Sequence, residues 1–259
     1  MKPPSLLLAA LLPLLLPSLR AQSEPQLPVP PPAGPGHSHP DASASTEKHD
    51  KGQFLKKHES FLARAKAGPI GLLFLGDSIT DNWRARAPRL FDEAYGKYQP
   101  ANFGIGGDTT QNVIWRIDHG ELDGIHPKVV VLMLGTNNSA SNSAEEIFAA
   151  DRKLVGLIRE KIPQAKVLLL AIFPRGPRQN TNGTPDDSAL RMGVIARTNR
   201  MLATLDDGRN VRFLDIGAKF LGPDGRIPDA IMADHLHPTL AGYRIWVEAM
   251  QPTLDEMMR

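Results

Sequence analysis

The chain has 259 residues, 41% of them hydrophobic and 22% charged, which suits one ordinary globular domain plus a further segment outside its core. Its formal net charge of +2, without a polybasic arm, argues against nucleic acid as a partner. It has no cysteine, so a disulfide framework, a thiolate nucleophile, a cysteine-ligated zinc site and a lipoprotein anchor are all excluded.

Lys2, the apolar residues 6–16 and the ending Ser18-Leu19-Arg20-Ala21 predict a secretory signal peptide over residues 1–21. Pro13 and Pro17 break so short a helix, which argues against an uncleaved membrane anchor. The expected destination is therefore the periplasm or the exterior, with no stable membrane insertion after cleavage. Residues 22–50 are rich in Pro, Ser and Ala (Pro28-Val29-Pro30-Pro31-Pro32 is typical) and are expected to form a disordered, extended linker. His37, His39 and His49 within it read as solvated.

A folded domain is expected over 51–259. Phe54, Leu55, His58, Phe61, Leu62 and Ala65 recur at helical spacing, and Gly68-Pro69 ends that helix. Residues 70–75 form the first expected strand, 88–98 include a helix, 101–103 make a short strand, and 109–122 read as a helix capped by Thr109 or Thr110. Val129-Val130-Val131-Leu132-Met133-Leu134 is the clearest central strand. After it come a helix over 144–161, a strand over 167–172, a helix over 190–205, a fifth strand over 211–215 and a closing helix over 240–257. Near-continuous apolar strands separated by helices predict a parallel five-stranded sheet covered on both faces, a flavodoxin-like three-layer α/β/α sandwich. Ligands in such folds bind beyond the carboxyl ends of the strands, among the loops that begin at Gly76, Gly104, Gly135 and Pro174.

Four blocks fall at those loops. Gly76-Asp77-Ser78 leads from the first strand into a helix, where Ser78 is either a nucleophile or an ordinary N-cap. The turn Asn102-Phe103-Gly104-Ile105-Gly106-Gly107-Asp108 can aim backbone N–H groups at a ligand. It has neither the spacing of a phosphate loop, with its lysine, nor that of a dinucleotide fingerprint. Gly135-Thr136-Asn137-Asn138 offers an amide donor, although asparagine is also a common turn residue. In Asp234-His235-Leu236-His237, Asp234 is spaced to hold His237 through Nδ1 and leave Nε2 for Ser78. A metal set of Asp234, His235 and His237 is the rival reading, and no further ligand pair supports it.

In this order the blocks resemble those of the SGNH (GDSL-type) hydrolases, and within that family the branch of platelet-activating-factor acetylhydrolase catalytic subunits. Further similar stretches are Gly120-Glu121-Leu122, Pro127-Lys128-Val129-Val130-Val131 and Pro174-Arg175-Gly176, and the likeness runs from about residue 54 to the end. The resemblance implies Ser78 as nucleophile, His237 as base, Asp234 as its orienter, and Ser78, Gly107 and Asn137 as oxyanion-hole donors, without metal or cofactor. Asn138 stands where many family members carry Asp, which bears on subgroup. A secreted serine esterase for short, acetyl-type esters is expected, with an acetylated glycan or small-molecule ester as substrate. A lysophospholipase-like or acetylhydrolase-like lipid esterase is the first alternative. A non-catalytic carbohydrate-binding protein and a metal-dependent hydrolase are alternatives of other classes. His235, His119 and His126 read as bystanders, Trp83 as a side chain that could edge the pocket, and Arg175 and Arg178 as parts of a solvated loop.

Overall fold

A strand buried on both faces must be apolar throughout, and that requirement organises the sheet. The computed structural model describes residues 40–179, 183 and 185–259. In chain order the elements are α1 (Gln53–Lys66), β1 (Leu72–Gly76), α2 (Ser78–Asp81), α3 (Trp83–Arg86), α4 (Pro88–Tyr95), β2 (Pro100–Gly104), α5 (Thr110–Asp118), β3 (Val129–Met133), α6 (Ala144–Lys161), β4 (Lys166–Leu170), α7 (Ser188–Leu202), β5 (Val211–Leu214) and α8 (Leu240–Met257). All five strands pair in parallel, in the order β2-β1-β3-β4-β5, so the expected three-layer α/β/α sandwich is the observed one.

Alternate strand residues enter opposite layers. Leu73, Leu75, Val130, Leu132, Val167 and Leu169 pack with α1, α5, α6 and α7 through side chains such as Phe61, Ile114, Leu154 and Ile195. Leu72, Phe74, Val129, Val131, Leu168 and Leu170 pack on the other side with Tyr95, Tyr243, Trp246 and Met250. Trp83 belongs to this second layer. It is 1% exposed, with its ring 4.1 Å from that of Tyr243 and 5.3 Å from that of Trp246. It is therefore a core residue and edges no pocket. No helix among the described residues is long and apolar enough to cross a membrane.

The helix predicted to reach residue 122 ends at Asp118, because Gly120 takes a left-handed φ of 89° and turns the chain toward β3. The predicted linker also divides. The expected signal peptide and residues 22–39, with His37 and His39, lie outside the described residues. Residues 40–50 do not extend into solvent: they lie along the start of α5, with Ala42 wholly buried. Thr46 N–H donates to Gln111 O (3.2 Å), and Asn112 Nδ2 donates to Thr46 O (3.0 Å). Composition sees only that this stretch lacks a core of its own, whereas its polar backbone finds partners on a helix far along the chain.

Beneath this region lies Arg116, a guanidinium with no exposure. Its Nη1 donates to Phe103 O (2.8 Å) and to both carboxylate oxygens of Glu121 (2.6 and 2.8 Å). Nη2 reaches Gly76 O (3.4 Å), and Nε lies 3.1 Å from Asp108 Oδ2. Glu121 and Asp108 are themselves unexposed. Removing one partner from a buried ionic group leaves an uncompensated charge. Arg116→Met is accordingly expected to cost about 3–5 kcal/mol of stability in urea denaturation. A change under about 1 kcal/mol would show that Arg116 does not brace the fold.

Candidate active site

The strand order places β1 between β2 and β3, with connections leaving to opposite sides. The crevice of such a sheet opens at the carboxyl ends of these strands. Ser78 follows β1 there as the first residue of α2. The turn is held by Asp77, whose Oδ1 accepts from Ile79 N–H (2.9 Å). Gly104, at the end of β2, must be glycine: a Cβ there would come within 2.4 Å of Asp81 N and 2.8 Å of Thr80 C. That close approach lets the following turn sit against Ser78.

The turn itself is closed by Asp108 N–H donating to Ile105 O (3.2 Å), with Gly107 in the left-handed region at φ 75°. Asn137 leaves β3 and donates through Nδ2 to Asp108 O (2.8 Å), which ties the third block to the second. Asn138 turns inward and is fully buried. Its Oδ1 accepts from Thr110 N–H (3.0 Å), and its Nδ2 lies within reach of Gln111 Oε1 (2.9 Å) and Asn142 Oδ1 (3.1 Å). An aspartate could accept from Thr110 but could not donate to those two oxygens, which gives the Asn at this position a physical reason. The motif reading gave Asn138 no such structural role.

Across the crevice, Asp234 and His237 stand in the turn that precedes α8. His237 Nε2 lies 2.9 Å from Ser78 Oγ, and His237 Nδ1 lies 2.6 Å from Asp234 Oδ2. Asp234 Oδ1 also accepts from His237 N–H (2.8 Å) and Leu236 N–H (3.2 Å). Partial burial favours the neutral acid, but hydrogen bonds from the His237 ring and backbone prevail and hold Asp234 well below the usual carboxylate range. Arg86 from α3 donates to His237 O (3.1 Å) and Pro238 O (3.3 Å), fixing the backbone that carries the imidazole. Sequence spacing alone gave no sign of Arg86.

His235 turns away from this line. At φ 54°, it sets Nδ1 2.7 Å from Pro177 O and Nε2 2.8 Å from Asp229 Oδ1, so Asp234, His235 and His237 do not converge on one point. His119 instead stacks on Trp115 at 3.7 Å, and His126 meets Gln164 at 3.1 Å. Arg175 departs from the solvated-loop expectation. It is 5% exposed, pairs with Asp186 and reaches Thr136 Oγ1 (3.1 Å), while Arg191 joins Asp186 (3.0 Å) to Thr136 O (2.7 Å). Arg178 Nη2 stands 3.8 Å from Asp234 Oδ2. A cavity of about 760 Å³ lies beside the turn that carries Asp234 and His237, lined by Pro174, Met192, Leu221, Ile227 and His235. It does not reach Ser78, Gly107, Asn137 or His237 and so stands apart from that cluster.

Comparisons with known proteins show the family. Residues 74–245 match the GDSL-like lipase/acylhydrolase family. The platelet-activating factor acetylhydrolase IB subunit alpha2 of Homo sapiens is 36% identical over 211 residues, covering 80% of this chain and 87% of that protein. The human alpha1 subunit is 34% identical over 207 residues, covering 80% and 85%. Among solved structures, a GDSL-like lipase from Bacteroides thetaiotaomicron superimposes with a TM-score of 0.62 at 17% identity, covering 79% of this chain and 99% of that one. A carbohydrate acetylesterase family member from Sinorhizobium meliloti gives 0.57 at 18% identity, covering 72% and 98%. The chain belongs to the GDSL-like lipase/acylhydrolase family and is a carboxylic ester hydrolase.

Asp77 carries a pH signature. Burial raises its pKa to about 7 against the lowering effect of the Ile79 N–H, and the nearby Asp108 charge adds to the rise. Its Oδ2 has no hydrogen-bond partner among the described residues. The folded protein therefore holds a proton on Asp77 that the unfolded chain releases near the ordinary carboxylate value of 3.8. The associated stability is full below that value and is lost as pH rises to about 7. Asp77→Asn should remove one proton from the fall in unfolding free energy across this range, measured by denaturation at several pH values. An unchanged slope would mean that Asp77 is ionised throughout.

Proposed function

We propose that this chain is an exported serine esterase that removes short acyl groups, acetyl above all, from glycan or small-molecule esters. The observation that carries the chemistry is the continuous line from Asp234 Oδ2 through His237 (2.6 Å) to Ser78 Oγ (2.9 Å), in a crevice where the Gly107 turn and Asn137 meet. His237 Nε2 takes the Ser78 proton as Oγ attacks the ester carbonyl. Asp234 holds the imidazole by Nδ1 and stabilises the imidazolium that forms. The oxyanion is met by the N–H groups of Ser78 and Gly107 and by Asn137 Nδ2. The proton on Nε2 then passes to the leaving alcohol. Water attacks the acyl-enzyme by the same route, releasing the acid and restoring Ser78.

The acetyl preference draws on the acetylhydrolase subunits that the chain resembles. The glycan reading draws on the expected signal peptide, since an exported enzyme meets extracellular polymers. The same relatives support the second reading, a lipid ester with an acetyl or single acyl chain. Export, the acyl group and the alcohol are separate parts of the proposal, and each has its own readout.

Ser78→Ala and His237→Ala should each lower turnover of a chromogenic acetate ester at least about a thousandfold. Asn137→Ala should lower kcat by about 10²–10³. Wild-type turnover in the Ser78 or His237 variant would overturn the mechanism. Failure of a fluorophosphonate to label Ser78 would favour a binding protein over an enzyme. Acetate release from acetylated xylan, measured beside release from lysophospholipid and acetylated ether lipid, assigns the alcohol. Rapid lipid deacylation without acetate release from any glycan would replace the glycan reading with the lipid one.

A further inference from the structure

Lys48 lies in the stretch that composition assigns to a linker, yet it reaches the turn proposed to bind the oxyanion. Its ammonium donates to Gly106 O, lies 3.5 Å from Asp108 Oδ1, and keeps 22% of its side chain exposed. A Cβ built on Gly107 would come within 3.2 Å of Lys48 Nζ, and one built on Gly106 would come within 4.0 Å of Ser78 Cβ. The Gly106–Gly107 segment thus runs between the lysine and the serine.

Gly106 C=O and Gly107 N–H are the two ends of one peptide group. A trans peptide is planar and points these ends in opposite directions. Binding the oxygen on the Lys48 side therefore fixes the direction in which the Gly107 N–H points. A cation on the oxygen also draws electron density through the amide, making the N–H a stronger donor. Glycines on both sides leave this peptide free to rotate unless something holds it, because neither carries a Cβ to limit its dihedrals. We propose that Lys48 is a positioning residue for the oxyanion hole, fixing and polarising the peptide whose N–H is the Gly107 donor.

The stretch carrying Lys48 is built to deliver it. Ala42 O accepts from Thr110 Oγ1 (2.7 Å), and Pro40 O accepts from Asn142 Nδ2 (3.1 Å). Lys153 Nζ also donates to Ser43 O (2.8 Å), but from the exposed side and beside bonds that already hold the stretch, so it is not needed to place Lys48. Asp108 completes the arrangement, its two oxygens facing Lys48 and Arg116. Lys48 thus offsets part of a buried negative charge and binds the neighbouring carbonyl at once.

This inference rests on the esterase reading for its catalytic part, and its structural part can be read without any substrate. Lys48→Met keeps the unbranched stem and removes the ammonium, Lys48→Arg restores a cation, and Lys153→Met loosens the stretch away from the turn. Lys48→Met should lower kcat on an acetate ester about tenfold, with KM within about twofold. Lys48→Arg should recover most of that loss, and Lys153→Met should keep wild-type kcat. In Lys48→Met the Gly107 amide resonance should move and its hydrogen exchange should quicken. An active wild type with unchanged kcat in Lys48→Met overturns the proposal, as does an equal loss of kcat in Lys153→Met. If the wild type hydrolyses no ester, the esterase reading fails, and the Gly107 amide still decides: a shifted resonance supports the proposal and an unchanged one overturns it.

Discussion

The arrangement depends on one buried cation. Arg116 has no exposure, so its N–H groups must find acceptors inside the protein or the fold bears the cost of an unsolvated charge. The acceptors it finds are Gly76 O at the end of β1, Phe103 O near the end of β2 and the Glu121 carboxylate, while the Asp108 carboxylate stands 3.1 Å from its Nε as an ion-pair partner. Two strand ends, the turn between β2 and α5, and the approach to β3 are thereby drawn to one point. Neutralising the charge and shaping the crevice are the same event. The demand is directional, because a guanidinium offers a rigid fork of donors where a lysine would offer a point charge.

Asp108 carries that constraint to the surface of the crevice. Burial raises its pKa to about 6, opposed by Arg116 and then Lys48. Its backbone oxygen meanwhile holds Asn137, and its backbone N–H closes the Gly107 turn. Two of the proposed oxyanion donors, Gly107 N–H and Asn137 Nδ2, are thus tied to each other before any substrate arrives, which is the preorganisation electrostatic catalysis needs. The turn that carries Asp234 and His237 is held independently, by Arg86 on the carbonyls of His237 and Pro238 and by the His235 ring bridging Pro177 and Asp229. Ser78 and His237 meet because two separately braced loops face each other across the end of the sheet.

The parts legible in the sequence share a physical character: each is written in neighbouring residues. A strand covered on both faces must be apolar at every position, so 129–134 reads as central without any knowledge of its neighbours. Asp234 and His237 are three residues apart, so one turn suffices to join them. Gly104 is glycine because the chain must pass Asp81 and Thr80 within a Cβ's reach, and the glycine is visible even though the clash is not. These local signals, in a fixed order, also carried the resemblance to the acylhydrolase family.

What the tertiary structure alone decided is every case in which a residue's environment comes from distant chain. Residues 40–50 have a linker's composition but lie along α5, because their carbonyls meet Gln111, Asn112 and Asn142. Arg175 sits in a polar loop yet is buried against Asp186 and Thr136. Trp83 follows Ser78 closely but turns into the aromatic layer with Tyr243 and Trp246. Periodicity and motif report what a segment can bury or bind by itself. Burial, charge partners and hydrogen-bond direction are properties of pairs, and those pairs exist only once the sheet has brought its strand ends together.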